Sequence, residues 1–258
     1  MAVAKSAYDA IAPRFERDRA LPEGVGDAIR AAALTAAGVA RPRLLDLGAG
    51  SGRIGWPFVA AGDDYVGADL SFGMLQAFAA RCEGPARLVQ ADGLALPFGD
   101  ATFDAVMLVQ VFGGMSAWQA FAGEVQRVLR APGAVLIGRT ATPESGVDAR
   151  MKRQLGVILE GTRPREGNAR ENIEQMLGAA ATHRERQVVA SWSAQRTPRQ
   201  FIARHRTGAR FAALPDAMKD DAMRALAAWA EKTFGSLDAV SSESHSFELR
   251  VFKLEGVS

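Results

Sequence analysis

Between residues 41 and 139, short apolar runs alternate with segments of helical periodicity, and this alternation sets the fold class. The runs are "RPRLLDLG", "DYVGAD", "ARLVQAD", "FDAVMLVQV" and "AVLIGR". The helical segments among them are "GRIGWPFVAAG", "SFGMLQAFAARC" and "SAWQAFAGEVQRVLR". In the last of these, Trp118, Phe121, Val125, Val128 and Leu129 recur at helical spacing. Pro57 is tolerated only in the first turn of its helix, and Ser71 or Asp69 is placed to cap the next one. "FDAVMLVQV" is apolar almost throughout, as a strand buried on both faces is. Strands alternating with helices imply a parallel sheet with helices on both faces.

The sequence predicts two helices ahead of this core, near 3–20 and 25–38, the second stopping at Gly38. Beyond residue 142 the pattern changes. Residues 143–183 read as two polar helices around the loop "EGTRPREGN". "RQVVASWS" reads as a strand, residues 198–234 as helices broken near "LPDAM", and "HSFELRVFKL" as a closing strand with Phe247, Leu249 and Val251 on one face. The expectation is a single domain over 1–258. It has an N-terminal helical cap (1–39), a core (40–142) and a mostly helical lid (143–240) with one core strand near 186–194; the last strand falls in 241–258.

Composition narrows the class further. An apolar fraction of 48% is enough for a sizeable core. No apolar run approaches the roughly 20 residues of a membrane span. The start is charged and lacks a central apolar block, unlike a secretory signal. Cys82 is the only cysteine, so no intrachain disulfide forms. One cysteine and three histidines also argue against a structural zinc site, and no metal is expected. The chain reads as a cytoplasmic protein, with nothing that fixes its oligomeric state.

The stretch "LLDLGAGSGR" follows the first strand, where an open parallel sheet binds its ligands. Its glycines are spaced G-A-G-S-G, so the third comes one residue earlier than a dinucleotide fingerprint requires, and the G-x-x-x-x-G-K-[ST] phosphate loop is absent. Asp46 precedes the first glycine, where a carboxylate repels phosphate and suits an ammonium group. Asp69 ends the second strand and suits the two hydroxyls of a ribose. Asp92 ends the third and suits an exocyclic amine. Together these acids describe a ligand with an ammonium, a ribose and an adenine, and without need of a phosphate.

"LLDLGAGSGR", "VGADLSFGMLQAF", "QADGLALPFGDATFDAVMLV" and "RVLRAPGAVLIG" resemble the successive motifs of class I S-adenosylmethionine-dependent methyltransferases, in the small-molecule branch of the ubiquinone and menaquinone enzymes. The resemblance covers about residues 8–140. It implies a Rossmann-like, seven-stranded, mostly parallel sheet with an antiparallel last strand. It implies S-adenosyl-L-methionine as cofactor and S-adenosyl-L-homocysteine as product. Asp46, Gly48, Ala49 and Gly50 then fall at the methionine end of the cofactor and Asp69 at the ribose. Leu70 and Met74 fall beside the adenine, Asp92 and Gly93 at its edge, and Gln110 near the methionine moiety. "YDAIAPRFERDR" resembles the segment that lies over the cofactor, which adds Tyr8 and Arg19.

The implied activity is methyl transfer by in-line displacement to O, N, C or S of a small molecule. The protein's part is to orient and desolvate the reactants. Many relatives carry a His pair after the fourth strand; here the segment is "QVFGGMS", which offers no acid or base, and Phe112 reads as a pocket wall. His205, in "FIARHRTGARF", is the one weak candidate for a base. Residues 148–210 hold thirteen Lys or Arg against six Asp or Glu. Arg163 and Arg165 in that stretch suit an anionic substrate, although a solvated charged face is the plainer reading. Two alternatives remain: an RNA methyltransferase using the basic stretch, disfavoured by the absence of an RNA-binding appendage, and a cofactor-binding partner protein without catalysis.

Overall fold

The computed structural model describes residues 20–113, 115–160, 169–206 and 214–255. The helix expected near 3–20 and the loop around Pro164 therefore lie outside the described residues, and with them Tyr8, Arg19, Arg163 and Arg165. The chain divides into two compact units. One takes in described residues up to Arg139, then 169–190 and from Phe247 onward; the other takes in 140–160, 191–206 and 214–246.

The first unit opens with α1 (Val25–Ala37), closed by Gly38 in the left-handed conformation at φ 77°. Then follow β1 (Leu44–Leu47), α2 (Trp56–Ala60), β2 (Tyr65–Asp69), α3 (Phe72–Ala79), β3 (Leu88–Gln90), β4 (Phe103–Val109), α4 (Trp118–Val128) and β5 (Leu129–Ala141). α6 (Ala169–Ala180) and parts of β6 (Ala181–Arg196) and β7 (Ser241–Leu254) complete it. The sheet order is β3-β2-β1-β4-β5-β7-β6. It is parallel from β3 to β5, and the closing strands run antiparallel. β1 pairs with β2 on one side and β4 on the other, so the strand order reverses about β1. A crevice for a ligand opens at that point, beyond the carboxyl ends of the strands.

Burial follows the apolar runs. Leu45, Leu47, Val66, Val106, Leu108, Val135 and Ile137 on the strands pack with Phe121, Val125 and Val128 of α4 and with Ile173 and Leu177 of α6. β4 is buried along almost its whole length, and β7 buries Phe252 and Leu254 as well as the expected Phe247, Leu249 and Val251. Several boundaries differ from the sequence reading. α2 has only five residues, because Pro57 must occupy the first turn and Gly62 ends it at φ 73°. β5 starts at Leu129, directly after α4, and β6 starts at Ala181. Arg127 on α4 binds the carbonyls of Leu96 and Phe98, while Glu124 accepts from the Leu96 N–H; together they anchor the loop after β3.

The second unit holds α5 (Val147–Ile158), α7 (Pro198–Arg206) and α8 (Asp216–Phe234). Val147, Met151 and Leu155 of α5 pack with Phe201 of α7 and with Met223, Leu226 and Ala230 of α8. Glu243 caps α5: its Oε1 accepts from the Val147 N–H at 2.5 Å, and its Oε2 lies 3.0 Å from His245 Nε2. α6, which the sequence reading places in the helical insertion, belongs to the first unit because Ile173 and Leu177 bury against α4 and the sheet. Among the described residues, no helix is long and apolar enough to cross a membrane.

Candidate functional site

A cavity of about 420 Å³ opens in the first unit at the ends of β1, β2, β3 and β4. Asp46, Gly48, Ala49, Gly50, Asp69, Leu70, Met74, Asp92, Gly93 and Gln110 all line it. Four separate strand ends thus bring together ten residues spread over 65 positions of the sequence. Val111, Met115, Ala117 and Phe121 supply apolar wall that the sequence reading did not single out, and Arg53 and Ser51 supply polar wall.

The glycine loop is shaped by close approach. Gly48 has φ 87°, and a Cβ on it would stand 2.9 Å from the Val111 side chain. Gly52 has φ 81°, and a Cβ on it would collide with the Phe78 ring. Both positions combine a left-handed backbone with no room for a side chain, which only glycine satisfies. Gln110, at φ 56°, is one of two non-glycine residues with positive φ among the described residues. Left-handed backbone on such a residue costs on the order of 1–3 kcal/mol and is typical of functional turns. Its Oε1 accepts from Arg53 at 3.0 Å.

The three acids differ in how they are held. Asp69 Oδ2 accepts from the Gly50 N–H and Oδ1 from the Ser71 N–H, both at 2.8 Å. These bonds fix the orientation of a carboxylate that lines the cavity, and a carboxylate oxygen accepts more than one donor. Asp92 accepts from the Leu94 N–H at 2.9 Å and is exposed, which sets its carboxylate at the rim. Asp46 is buried, and Tyr65 donates to its Oδ2 at 2.8 Å. Burial pushes the Asp46 carboxyl up to about 7, against the Tyr65 hydrogen bond that pulls it down. Among the described residues, three acids against one arginine give the cavity wall a cation-attracting character.

Phe112 and His205 have surroundings that the sequence reading did not describe. Phe112 does not line the cavity; its ring packs edge-on to Phe121 at 6.3 Å and joins the core of the first unit. The chain turns at Gln110, and this sends Phe112 back toward α4. His205 belongs to the second unit, where its ring stacks on Phe201 at 3.7 Å and its Nδ1 lies 2.9 Å from the Phe201 carbonyl. Tyr65 is the site residue that sequence reasoning missed. Its signal was a tyrosine two positions before Gly67 in the strand beside Asp46, and only the register makes that visible.

Comparison with known proteins fits this geometry. The methyltransferase domain family matches residues 45–137, the span from β1 into β5. The demethylmenaquinone methyltransferase of Clavibacter sepedonicus is 35% identical over 142 residues, which is 53% of this chain and 57% of that protein. The matched stretch is thus little more than half of that relative's length. The YcgJ protein of Bacillus subtilis has a similar fold, with a TM-score of 0.55 at 20% identity over 89% of this chain and 99% of that one. The cyclase SpnF also shares the fold, with a TM-score of 0.52 at 17% identity over 99% of both chains. A fold shared with a cyclase does not by itself fix an activity, so the family assignment rests on the matched motifs. Residues 45–137 match a methyltransferase domain, and their motifs are similar to those of class I S-adenosylmethionine-dependent enzymes.

Proposed function

We propose that the protein transfers a methyl group from S-adenosylmethionine to a nucleophilic O, N, C or S atom of a small molecule, by in-line displacement. One observation carries this reading: a glycine-lined cavity at the strand-order reversal, with acids at three successive strand ends. The residues fit the cofactor. Gly48 and Gly50 let the backbone approach it, Asp69 faces a ribose diol with both oxygens fixed, and Asp46 suits an ammonium. Leu70 and Met74 offer an apolar face to the adenine, and Asp92 with Gly93 its edge. When bound, the cofactor supplies a methyl group on a positively charged sulfur. The chain's own contribution is to hold reactants in line, exclude water and leave the proton to the acceptor. A phenolate, thiolate or neutral amine needs no base, in keeping with the lack of acid or base at Val111–Gly113 and Met115.

The arginine-rich stretch lends little support to an anionic or RNA substrate. Arg199 pairs with Asp238, Arg206 with Asp220, Arg204 with Asp148 and Arg186 with Glu248. Its described cations are largely neutralised by acids of their own unit.

Calorimetric titration with S-adenosylhomocysteine tests the reading, with one site per chain expected. A folded protein that shows no binding heat or thermal shift overturns it. Turnover of labelled cofactor against a panel of phenols, amines and thiols then separates an enzyme from a cofactor-binding partner.

A further inference from the structure

Tyr65 opens β2 and is buried at 2% exposure. β1 and β2 are parallel, with Asp46 opposite Gly67 and Leu44 opposite Tyr65. Residues two apart on a strand share a face, so Tyr65, Gly67 and Asp46 lie on one side of the sheet. Gly67 leaves that side clear: a Cβ there would meet Leu88 at 2.9 Å and the Tyr65 ring at 3.3 Å. The ring leans through the space and its hydroxyl reaches Asp46 Oδ2. Phe58 stacks on the ring at 5.5 Å, Phe78 meets it edge-on at 6.1 Å, and a Cβ on Gly55 would collide with the hydroxyl. This packing fixes the direction of a single polar bond, and that bond ends on a carboxylate of the cavity wall.

We propose that Tyr65 is a positioning residue for the cofactor's amino group, its hydroxyl holding the Asp46 carboxylate ionised and turned toward the cavity. The proposal rests on the reading that the cavity takes S-adenosylmethionine. The other groups that bear on Asp46 are Asp69 at the end of β2, which opposes its charge, and Arg53 of the glycine loop, which favours it. Cys82, past the end of α3, bears on Tyr65. Burial and the neighbouring Asp46 raise the tyrosine hydroxyl far above its ordinary range, so it keeps its proton and donates throughout the neutral region.

The test is calorimetric titration of the full chain with S-adenosylhomocysteine from pH 6 to pH 9, comparing wild type with Tyr65→Phe. Loss of a hydrogen bond to a charged acceptor disfavours the ionised form by about tenfold. With Asp46 at about 7 in the wild type, Tyr65→Phe weakens binding by about tenfold at pH 6 and about fivefold at pH 7. By pH 9 the two proteins bind within about 1.2-fold of each other. The ligand's own titration cancels in this ratio. A packing role would lower melting temperature and shift affinity by a factor independent of pH. In an Asp46→Asn background the pH dependence of the ratio disappears.

A second readout does not depend on the Tyr65 variant folding. Wild-type binding at pH 6, measured in buffers of different ionisation enthalpy, releases close to one proton, and Asp46→Asn abolishes the release. A flat ratio across pH, or no proton release, overturns the role of Tyr65 while wild-type binding leaves the cofactor reading intact. Absence of wild-type binding at every pH overturns the cofactor reading and this proposal with it.

Discussion

Asp46 in the first unit and Glu243 in the second are buried at 1% and 4% exposure, yet their partners differ in kind. Glu243 accepts from the first N–H of α5 and meets His245, which is itself buried against the edge of Trp192. Arg196 lies close enough to feel its charge. Both of its oxygens are used by the fold. Among the described residues, Asp46 has one hydroxyl donor on one oxygen, a repelling acid nearby and a cavity beside it. A buried carboxylate satisfied on both oxygens holds structure together. One left short of partners at a cavity wall is a binding group. The sharpest ways to break this contrast begin with the largest effect.

Gly52→Ala tests whether the cavity's loop is a rigid part of the first unit. The new Cβ meets the Phe78 ring in a left-handed backbone. Strain and overpacking together cost about 3–5 kcal/mol. Urea unfolding followed by circular dichroism reads this directly. A midpoint within error of wild type would mean that the loop yields, and that its glycines do not set the cavity's shape.

Glu243→Ala tests the structural acid. It strips the cap from α5 and leaves the Val147 N–H and the His245 ring without their shared acceptor. The expected loss is about 3 kcal/mol. Trp192 and Trp229 lie in the second unit and Trp56 and Trp118 in the first, so a Trp56→Phe, Trp118→Phe background makes tryptophan fluorescence during unfolding report on the second. A loss below about 0.5 kcal/mol would place Glu243 among ordinary surface acids and dissolve the comparison.

Asp46→Asn tests the binding acid, and its effect on stability has the opposite sign. The folded protein holds a proton on Asp46 up to about pH 7, while the unfolded chain releases it near the ordinary value of 3.8. The stability from that proton is complete below about pH 4 and is lost as the pH climbs through 7, by on the order of 4 kcal/mol. Asparagine does not titrate, so the variant keeps its stability across this window and exceeds wild type at pH 8. Melting curves at pH 5 and pH 8 show the crossing. At pH 8 the same variant binds S-adenosylhomocysteine at least about tenfold more weakly, because the ammonium loses its counter-charge. A variant whose stability relative to wild type does not rise between those pH values would show that Asp46 is not a reserved charge.

The sequence made the first unit's chemistry legible and left much of the second obscure, for reasons visible at particular residues. Asp46, Asp69 and Asp92 sit at strand ends, so a strand–helix alternation alone predicts that they converge. The glycine loop is contiguous and its spacing excludes a pyrophosphate. Tyr65 escaped because its role depends on the register that sets Asp46 opposite Gly67. Phe112 packs on Phe121, a contact between residues nine positions apart that no helical or strand period marks. The Glu243 cap joins residues 96 positions apart, and no local pattern announces it.

The smallest effect is expected at His205, the histidine that the sequence offers as a base. Its ring lies nearly parallel to Phe201, 15° between planes, and Nδ1 faces the Phe201 carbonyl one helical turn back. A carbonyl only accepts, so Nδ1 carries a proton. The stacking and the bond to its own helix describe a ring that packs the end of α7. His205→Phe preserves the stack and removes the nitrogens. Turnover with an acceptor found in the panel should change by less than about threefold, whereas loss of a general base costs about 10²–10⁴-fold. A collapse of kcat with binding of S-adenosylhomocysteine retained would reverse the comparison, since the second unit would then hold a group that works on the substrate. A preserved kcat removes His205 as the base and favours an acceptor that is nucleophilic without one.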